Sequence, residues 1–171
     1  DASGDVLYGG TNIAGGSGTD PATKEAHLFA WDVRKRKVMW KLVPVPGTTG
    51  IQNLLCRDGK LYGTCGNNYV FFRFDTRSRS MDYVVPSEIS GAREQSICFG
   101  PDGNIYGITW MSAFRWRPDS GRIEVLYRCT GGRAKRYSGG SLFHRGAVII
   151  GGRLYFSCGP HVMSLALKIV D

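Results

Sequence analysis

The chain has 171 residues, of which 42% are hydrophobic, 12% aromatic and 21% charged, with 24 glycines and 7 prolines. This composition is typical of about one globular domain and excludes a disordered, collagen-like or small disulfide-stapled chain. The chain has 22 lysines and arginines against 14 acidic residues, which gives a net charge of +8. This charge favours anionic partners but does not identify one. The sequence shows neither an apolar run long enough to span a bilayer nor the basic and apolar stretches of a signal peptide, so we expect neither feature.

In chain order, the predicted elements repeat around four tyrosines. The repeated stretches are GDVLYGGT, DGKLYGTC, DGNIYGIT and GGRLYFSC, which align without gaps on Tyr8, Tyr62, Tyr106 and Tyr155. Each is followed by a second extended run, and in the first three repeats a polar turn and a third run come next. A short apolar run precedes the last three tyrosine stretches, namely IQNLLCR, QSICFG and AVIIG. The pattern predicts four strands in each repeat of about 45 residues.

Four-stranded antiparallel units of this period, joined by Gly and Asp-Gly turns, predict an all-β fold of the β-propeller type. We expect one module over residues 1–171, with blades at about 1–46, 47–90, 91–140 and 141–171. The first blade lacks its first strand and the last blade mostly lacks its fourth. The chain is therefore expected to be part of a longer propeller or a half that self-associates. The alternative is a β-sandwich of irregular hairpins.

Two of the repeats carry a family resemblance. The segments DGKLYG with YVFFRFD, and DGNIYG with FRWRPDSGR, resemble the repeats of lactonase-like, NHL-type and quinoprotein-type propellers and of several polysaccharide lyases. The stretch LFAWDVRKRKVMW is similar to the quinoprotein-type pattern, in which Asp closes one strand and Trp lies in the next. The resemblance covers nearly the whole chain and implies a propeller. It implies no particular activity, because this architecture hosts hydrolases, lyases, isomerases and scaffolds.

The first strands of the later repeats carry candidate ligand-binding residues. Aligning these strands places Gln52, Gln95 and Arg145 at corresponding points, with Asn53 beside the first. Amides offer both donors and acceptors and a guanidinium holds a carboxylate, so such a set suits a polyhydroxylated or carboxylated ligand. The alternative is that these groups only bond neighbouring blades or water.

The segment GGRAKRYSGGSLFHRGA contains the strongest concentration of reactive side chains. We predict Tyr137 and His144 as proton-transfer residues, with Arg145 neutralising the charge that develops beside a uronate carboxylate. Arg133 and Arg136 are predicted to bind the same ligand. This set describes a polysaccharide lyase; the alternative is a solvated Gly-rich basic connection.

These observations predict a β-propeller module that binds a ligand or partner and is associated with carbohydrate. The alternatives are a lyase or hydrolase acting on an acidic glycan, and a non-catalytic half-propeller that self-associates. The expected partners are an acidic polysaccharide or a protein, and an extracellular location is expected. The basic turns Arg34–Lys37 and Arg77–Arg79 do not favour nucleic acid, because such residues also prevent edge aggregation.

No cofactor and no metal site are predicted. The five cysteines are scattered, with no C-x-x-C pair and no histidine at ligand spacing. Most lie inside apolar runs, where we expect them to pack as small hydrophobic residues.

Overall fold

The fold is that of a computed structural model, which describes residues 1, 3–14, 20–66, 69–129, 143 and 145–168. These residues form strands and turns, and none forms a helix long and apolar enough to cross a membrane. The fourteen strands are β1 (Val6–Gly10), β2 (Leu28–Asp32), β3 (Lys37–Leu42), β4 (Ile51–Arg57), β5 (Lys60–Cys65), β6 (Val70–Asp75), β7 (Ser80–Pro86), β8 (Ala92–Phe99), β9 (Ile105–Thr109), β10 (Ser112–Trp116), β11 (Ile123–Arg128), β12 (Val148–Ile150), β13 (Arg153–Cys158) and β14 (His161–Ala166).

The strands form four antiparallel sheets in which neighbours along the chain pair with each other. The sheets are β1-β2-β3, β4-β5-β6-β7, β8-β9-β10-β11 and β12-β13-β14. The all-β prediction is confirmed, and so is the prediction that the first and last sheets are incomplete. Within the described residues, the first sheet has no counterpart of β4 and the last has no counterpart of β7.

A glycine that follows the repeated tyrosine explains much of the repeat pattern. In the first three sheets this glycine lies directly across from a phenylalanine on the next strand: Gly9 faces Phe29, Gly63 faces Phe72 and Gly107 faces Phe114. A Cβ on Gly107 would stand 2.7 Å from Cζ of Phe114, so the ring occupies the space of the absent side chain. In the last sheet Phe156 stands at the glycine position and Met163 lies across from it, so this close approach is absent there.

The turns between the last two strands of the first three sheets share one backbone position with positive φ. Asp75 accepts hydrogen bonds through Oδ1 from the backbone N–H groups of Arg77 (2.7 Å) and Ser78 (2.8 Å). The residue four positions after the start of each turn has positive φ, at 50° for Arg36, 56° for Arg79 and 74° for Gly121. Each of the predicted polar turns therefore contains one residue in the left-handed (αL) region. At two of these three positions the residue is arginine rather than glycine.

The chain divides into two compact units, Asp1–Pro86 and Ser87–Asp171, each of which contains two sheets. In the first unit the buried core residues are Leu28, Val45, Leu61, Cys65, Val70, Phe72 and Phe74. In the second unit they are Tyr106, Ile108, Ala113, Phe143, Leu154 and Phe156. Each core takes residues from both sheets of its unit, which is how stacked sheets bury their apolar faces.

The five cysteines carry free thiols, but they are not packed alike. Cys65 is buried in the core of the first unit, whereas Cys56 is exposed. Burial raises the pKa of the Cys98 thiol to about 11. The expectation of packing therefore suits Cys65 and Cys98 better than Cys56.

Candidate functional site

Two of the predicted ligand-binding residues, Gln52 and Asn53, lie at the start of β4 in the first unit. The pairing of β4 with β5 shifts register between Ile51 and Asn53, so Gln52 lies at a bulge. Its amide nitrogen lies 3.3 Å from where a Cβ on Gly50 would stand. Asn53 is buried, and its Nδ2 donates to Thr64 Oγ1 at 2.8 Å. The amide of Asn53 is thus used inside the sheet, while Gln52 is only partly buried.

Beside Gln52, the long connection between β1 and β2 is bonded to the segment that leads into β4. The backbone N–H of Ile13 donates to Thr49 O at 2.9 Å, and that of Gly47 donates to Glu25 Oε1 at 2.6 Å. Thr11 Oγ1 accepts from the His27 N–H at 2.8 Å. The polar side chains of Thr11 and Glu25 therefore bond the described ends of this connection, residues 11–14 and 20–27.

In the second unit, the start of β8 departs from regular pairing. Ala92 pairs with Thr109 and Ile97 with Gly107, so the four residues between them oppose a single residue of β9. Gln95, in the middle of this irregular stretch, has a φ of 56° and an exposed side chain. Ser96 is buried, and its hydroxyl donates to the carbonyl of Arg93. The bulge thereby presents Arg93, Glu94 and Gln95 beside the turn that follows β9.

Trp110 is the first residue of that turn. Its side chain is exposed to 41%, and the guanidinium carbon of Arg93 lies 4.8 Å from the indole centroid. A cation held over an aromatic ring at this distance stabilises the ring's position by electrostatic attraction. The carbonyl of Trp110 also accepts a hydrogen bond from the N–H of the buried Phe143 at 3.1 Å. The indole is therefore a held and partly open apolar surface.

Arg145, predicted from the sequence as a site residue, lies at the same end of the second unit. Its N–H donates to Ser157 Oγ at 2.9 Å, and its carbonyl accepts from the Ser157 N–H at 3.0 Å, which fixes its backbone. Its side chain is exposed to 61%, and Nη2 lies 3.6 Å from Glu94 Oε2. This separation is longer than a hydrogen bond, so the guanidinium remains accessible. We name the group of Arg93, Glu94, Gln95, Trp110 and Arg145 the loop-end cluster.

The remaining predicted site residues, Arg133, Arg136, Tyr137 and His144, lie outside the described residues. Their roles remain predictions. Among the residues the structure covers, no three His, Cys, Asp or Glu side chains come together in a group that could hold a metal ion.

Sequence analysis did not single out Trp110, Arg93 or Glu94. A signal for Trp110 was present, because the repeat alignment places Asn12, Gly66 and Gly159 at its position in the other repeats. A tryptophan where the other repeats carry turn residues indicates a role other than making the turn. Arg93 and Glu94 gave no such signal, since their placement depends on the bulge in β8.

No protein-family model matches the sequence, and no curated protein matches it either. The structure is similar to the WD40 β-propeller domain of Doa1, with a TM-score of 0.61 and 11% sequence identity over 90% of this chain and 48% of that chain. It is also similar to the extracellular domain of a one-component system from B. thetaiotaomicron, with a TM-score of 0.61 and 12% identity over 89% of this chain and 22% of that chain. The chain thus spans less than half the length of either structure. At these identities the comparisons show the fold, which is that of a β-propeller, and no individual propeller family.

Proposed function

We propose that this chain is a propeller ligand-binding module whose loop-end cluster takes an acidic carbohydrate. The observation that carries the proposal is Trp110, a partly exposed indole held beneath the Arg93 guanidinium. A sugar ring has apolar C–H faces, and an indole offers a flat apolar surface of matching size. Ligand sites of this kind combine such a surface with a few polar groups that fix orientation.

The polar members of the loop-end cluster suit a carbohydrate that carries carboxylates. The exposed Gln95 amide can both donate to and accept from hydroxyl groups. Arg145 is exposed and only loosely paired with Glu94, so its guanidinium is free to turn to a carboxylate on the ligand. The net charge of +8 adds a general attraction for anionic chains.

The experiment is calorimetric titration with oligogalacturonate and with its methyl ester, in which each carboxylate is replaced by an uncharged ester. Trp110→Ala is expected to weaken both ligands about tenfold, equivalent to ~1.4 kcal/mol, because the stacking surface is lost. Arg145→Gln is expected to remove the preference for the acid over the ester. Arg79→Gln, the same charge change in an exposed turn, is the matched control and should change neither affinity. Unchanged affinity in Trp110→Ala, or no saturable binding by the unmodified chain, contradicts the proposal.

The lyase alternative rests on Tyr137 and His144 together with Arg145. The same oligogalacturonate samples distinguish it, because a lyase releases an unsaturated uronate whose ultraviolet absorbance rises steadily. A flat trace in samples that bind the ligand supports a module without this activity. A rise that is lost in His144→Ala would move the proposal from binding to catalysis.

A second candidate function, self-association, is favoured by exposed apolar side chains on the first and last sheets. On the last sheet these are Val148, Ile150 and Val162, exposed to 50%, 63% and 77%; on the first sheet Leu7 and Val38 are exposed to 52% and 49%. Exposed apolar side chains on an incomplete sheet favour association. Light scattering is expected to give a mass of two copies, and a single-copy mass at every concentration contradicts self-association.

A further inference from the structure

Glu94 is the acidic member of the loop-end cluster, at a site proposed to take an acidic ligand. Its carboxylate faces the Arg145 guanidinium, which is the group that a ligand carboxylate would approach. Binding of an acidic carbohydrate gives Glu94 no role by itself, because like charges repel at close range. The contacts of the two side chains indicate what that role is.

The backbone that carries Glu94 is held on both sides. Regular pairing of β8 with β9 stops at Ala92 and resumes at Ile97. Between these two residues, the hydroxyl of the buried Ser96 donates to the carbonyl of Arg93. The irregular stretch therefore has a definite conformation, and Glu94 is presented from a fixed position.

The backbone of Arg145 is held as well, by a single serine. The Ser157 hydroxyl accepts from the Arg145 N–H at 2.9 Å and donates to the Arg145 carbonyl at 2.7 Å. The guanidinium lies at the end of a long and largely exposed side chain. Arg145 and Glu94 can therefore separate by side-chain rotation alone, without movement of the backbone on either side.

The contact between Glu94 and Arg145 is an ion pair without a hydrogen bond. Nη2 and Oε2 are 3.6 Å apart, whereas N–H···O hydrogen bonds span about 2.7–3.2 Å. Glu94 Oε2 is buried, and among the described residues it accepts no hydrogen bond. Both side chains are partly exposed, and ion pairs between exposed groups stabilise only weakly. The guanidinium of Arg145 is thus occupied but not firmly held.

A second arginine in the same unit shows what a firm contact is. Arg115 donates to Glu124 Oε2 from Nη2 at 2.6 Å and from Nε at 3.3 Å, so this guanidinium is committed to its partner. Glu94 offers Arg145 one oxygen at a longer separation. A ligand carboxylate that meets the guanidinium edge-on forms two charge-assisted hydrogen bonds of about 2.7–2.9 Å. It therefore gives Arg145 a better contact than Glu94 does.

We infer that Glu94 is a displaceable counter-ion, which occupies Arg145 in the free chain and is exchanged for a carboxylate of the bound oligouronate. Glu94 thereby determines specificity. A carboxylate that reaches the guanidinium through two oxygens displaces it, whereas an anion that reaches Arg145 through one oxygen gains little over the contact already present. The inference rests on the proposed function, because it concerns the same site.

The experiment is calorimetric titration of Glu94→Gln with oligogalacturonate and with its methyl ester. Glutamine keeps the size of the side chain and removes its charge, so affinity for the acid is expected to rise about threefold while affinity for the ester stays unchanged. Glu94→Ala, which removes the whole carboxylate, should give the same gain. Asp119→Asn removes one charge from the exposed turn that follows β10, whereas Trp110 precedes β10. It is the matched control and should change neither affinity.

A double-mutant cycle with Arg145→Gln separates exchange from simple repulsion of the ligand by Glu94. Repulsion acts whether or not the guanidinium is present, but exchange requires it, so Glu94→Gln should change acid affinity little in the Arg145→Gln background. An equal gain in both backgrounds overturns the inference. An unchanged or lower acid affinity in Glu94→Gln also overturns it, because Glu94 would then position Arg145 rather than compete for it.

The unmodified chain distinguishes failure of this inference from failure of the proposed function. Saturable binding of oligogalacturonate by the unmodified chain, combined with either of these contrary results, overturns the role of Glu94 and leaves the site in place. Absence of saturable binding by the unmodified chain overturns both.

Discussion

The close approach of a phenylalanine ring to the repeated glycine makes a specific prediction at Gly63. A Cβ there would stand 2.8 Å from Cε2 of Phe72 and closer still to two further ring atoms, whereas carbon atoms in ordinary contact lie about 3.5–4.0 Å apart. Phe72 is fully buried, so its ring cannot retreat without displacing the core of the first unit. We expect Gly63→Ala to lower the free energy of unfolding by ~1–3 kcal/mol, the usual cost of overpacking.

Gly9 offers the matched control, because it makes the same approach to a ring that is only partly buried. A Cβ on Gly9 would stand 2.6 Å from Cε1 of Phe29, but Phe29 is only partly buried and can change rotamer. The reduced entropy of the unfolded chain then offsets the small strain, so Gly9→Ala should change stability by less than about 0.5 kcal/mol. Urea unfolding of both variants measures the difference. Equal losses in the two variants, or a neutral Gly63→Ala, would refute the argument from ring burial.

Two further predictions concern the turns and the buried tyrosine. Arg79→Gly is expected to stabilise the chain by ~0.5–1 kcal/mol, because glycine adopts the positive φ of 56° without the strain that a side chain causes. Gly121→Ala, at the same turn position, should destabilise the chain for the same reason. A loss of thermal stability in Arg79→Gly would contradict this. Burial and the hydrogen bond to Asp102 raise the pKa of Tyr106 to about 12, above the value of about 10 for a free tyrosine. The free energy of unfolding that this shift contributes is therefore fully present below pH ~10 and is lost as the pH rises through about 12. In urea unfolding, Tyr106→Phe should lose less stability at alkaline pH than the unmodified chain. Identical pH profiles of the two proteins would disprove the assignment.

The strands and turns could be predicted from the sequence because local pattern determines them. The tyrosine stretches place one strand in every sheet, and the aspartate that caps a turn, such as Asp75, is visible as the polar residue ending an alternating run. The replacement of the repeated glycine by Phe156 in the last repeat was also visible in the sequence, whereas the residue across from each position is known only once the register is fixed.

The candidate site was less predictable because it depends on distortion of the pairing. Alignment places Gln52 and Gln95 at equivalent points, yet Gln52 lies at a short bulge whereas Gln95 lies in a longer irregular stretch with positive φ. The contact of Arg93 with Trp110 joins a strand and a turn that are distant in sequence. No periodicity encodes such a contact, since it follows from the bulge rather than from strand alternation.

The carbohydrate proposal is tested most directly by the indole resonances of the four tryptophans. In a nitrogen-15 spectrum, adding oligogalacturonate is expected to shift the Trp110 resonance, assigned by Trp110→Phe, and to leave the resonance of the fully buried Trp116 in place. A saturating shift confined to Trp110 agrees with stacking on its indole. An unchanged Trp110 resonance at ligand concentrations that saturate binding would contradict the proposed site.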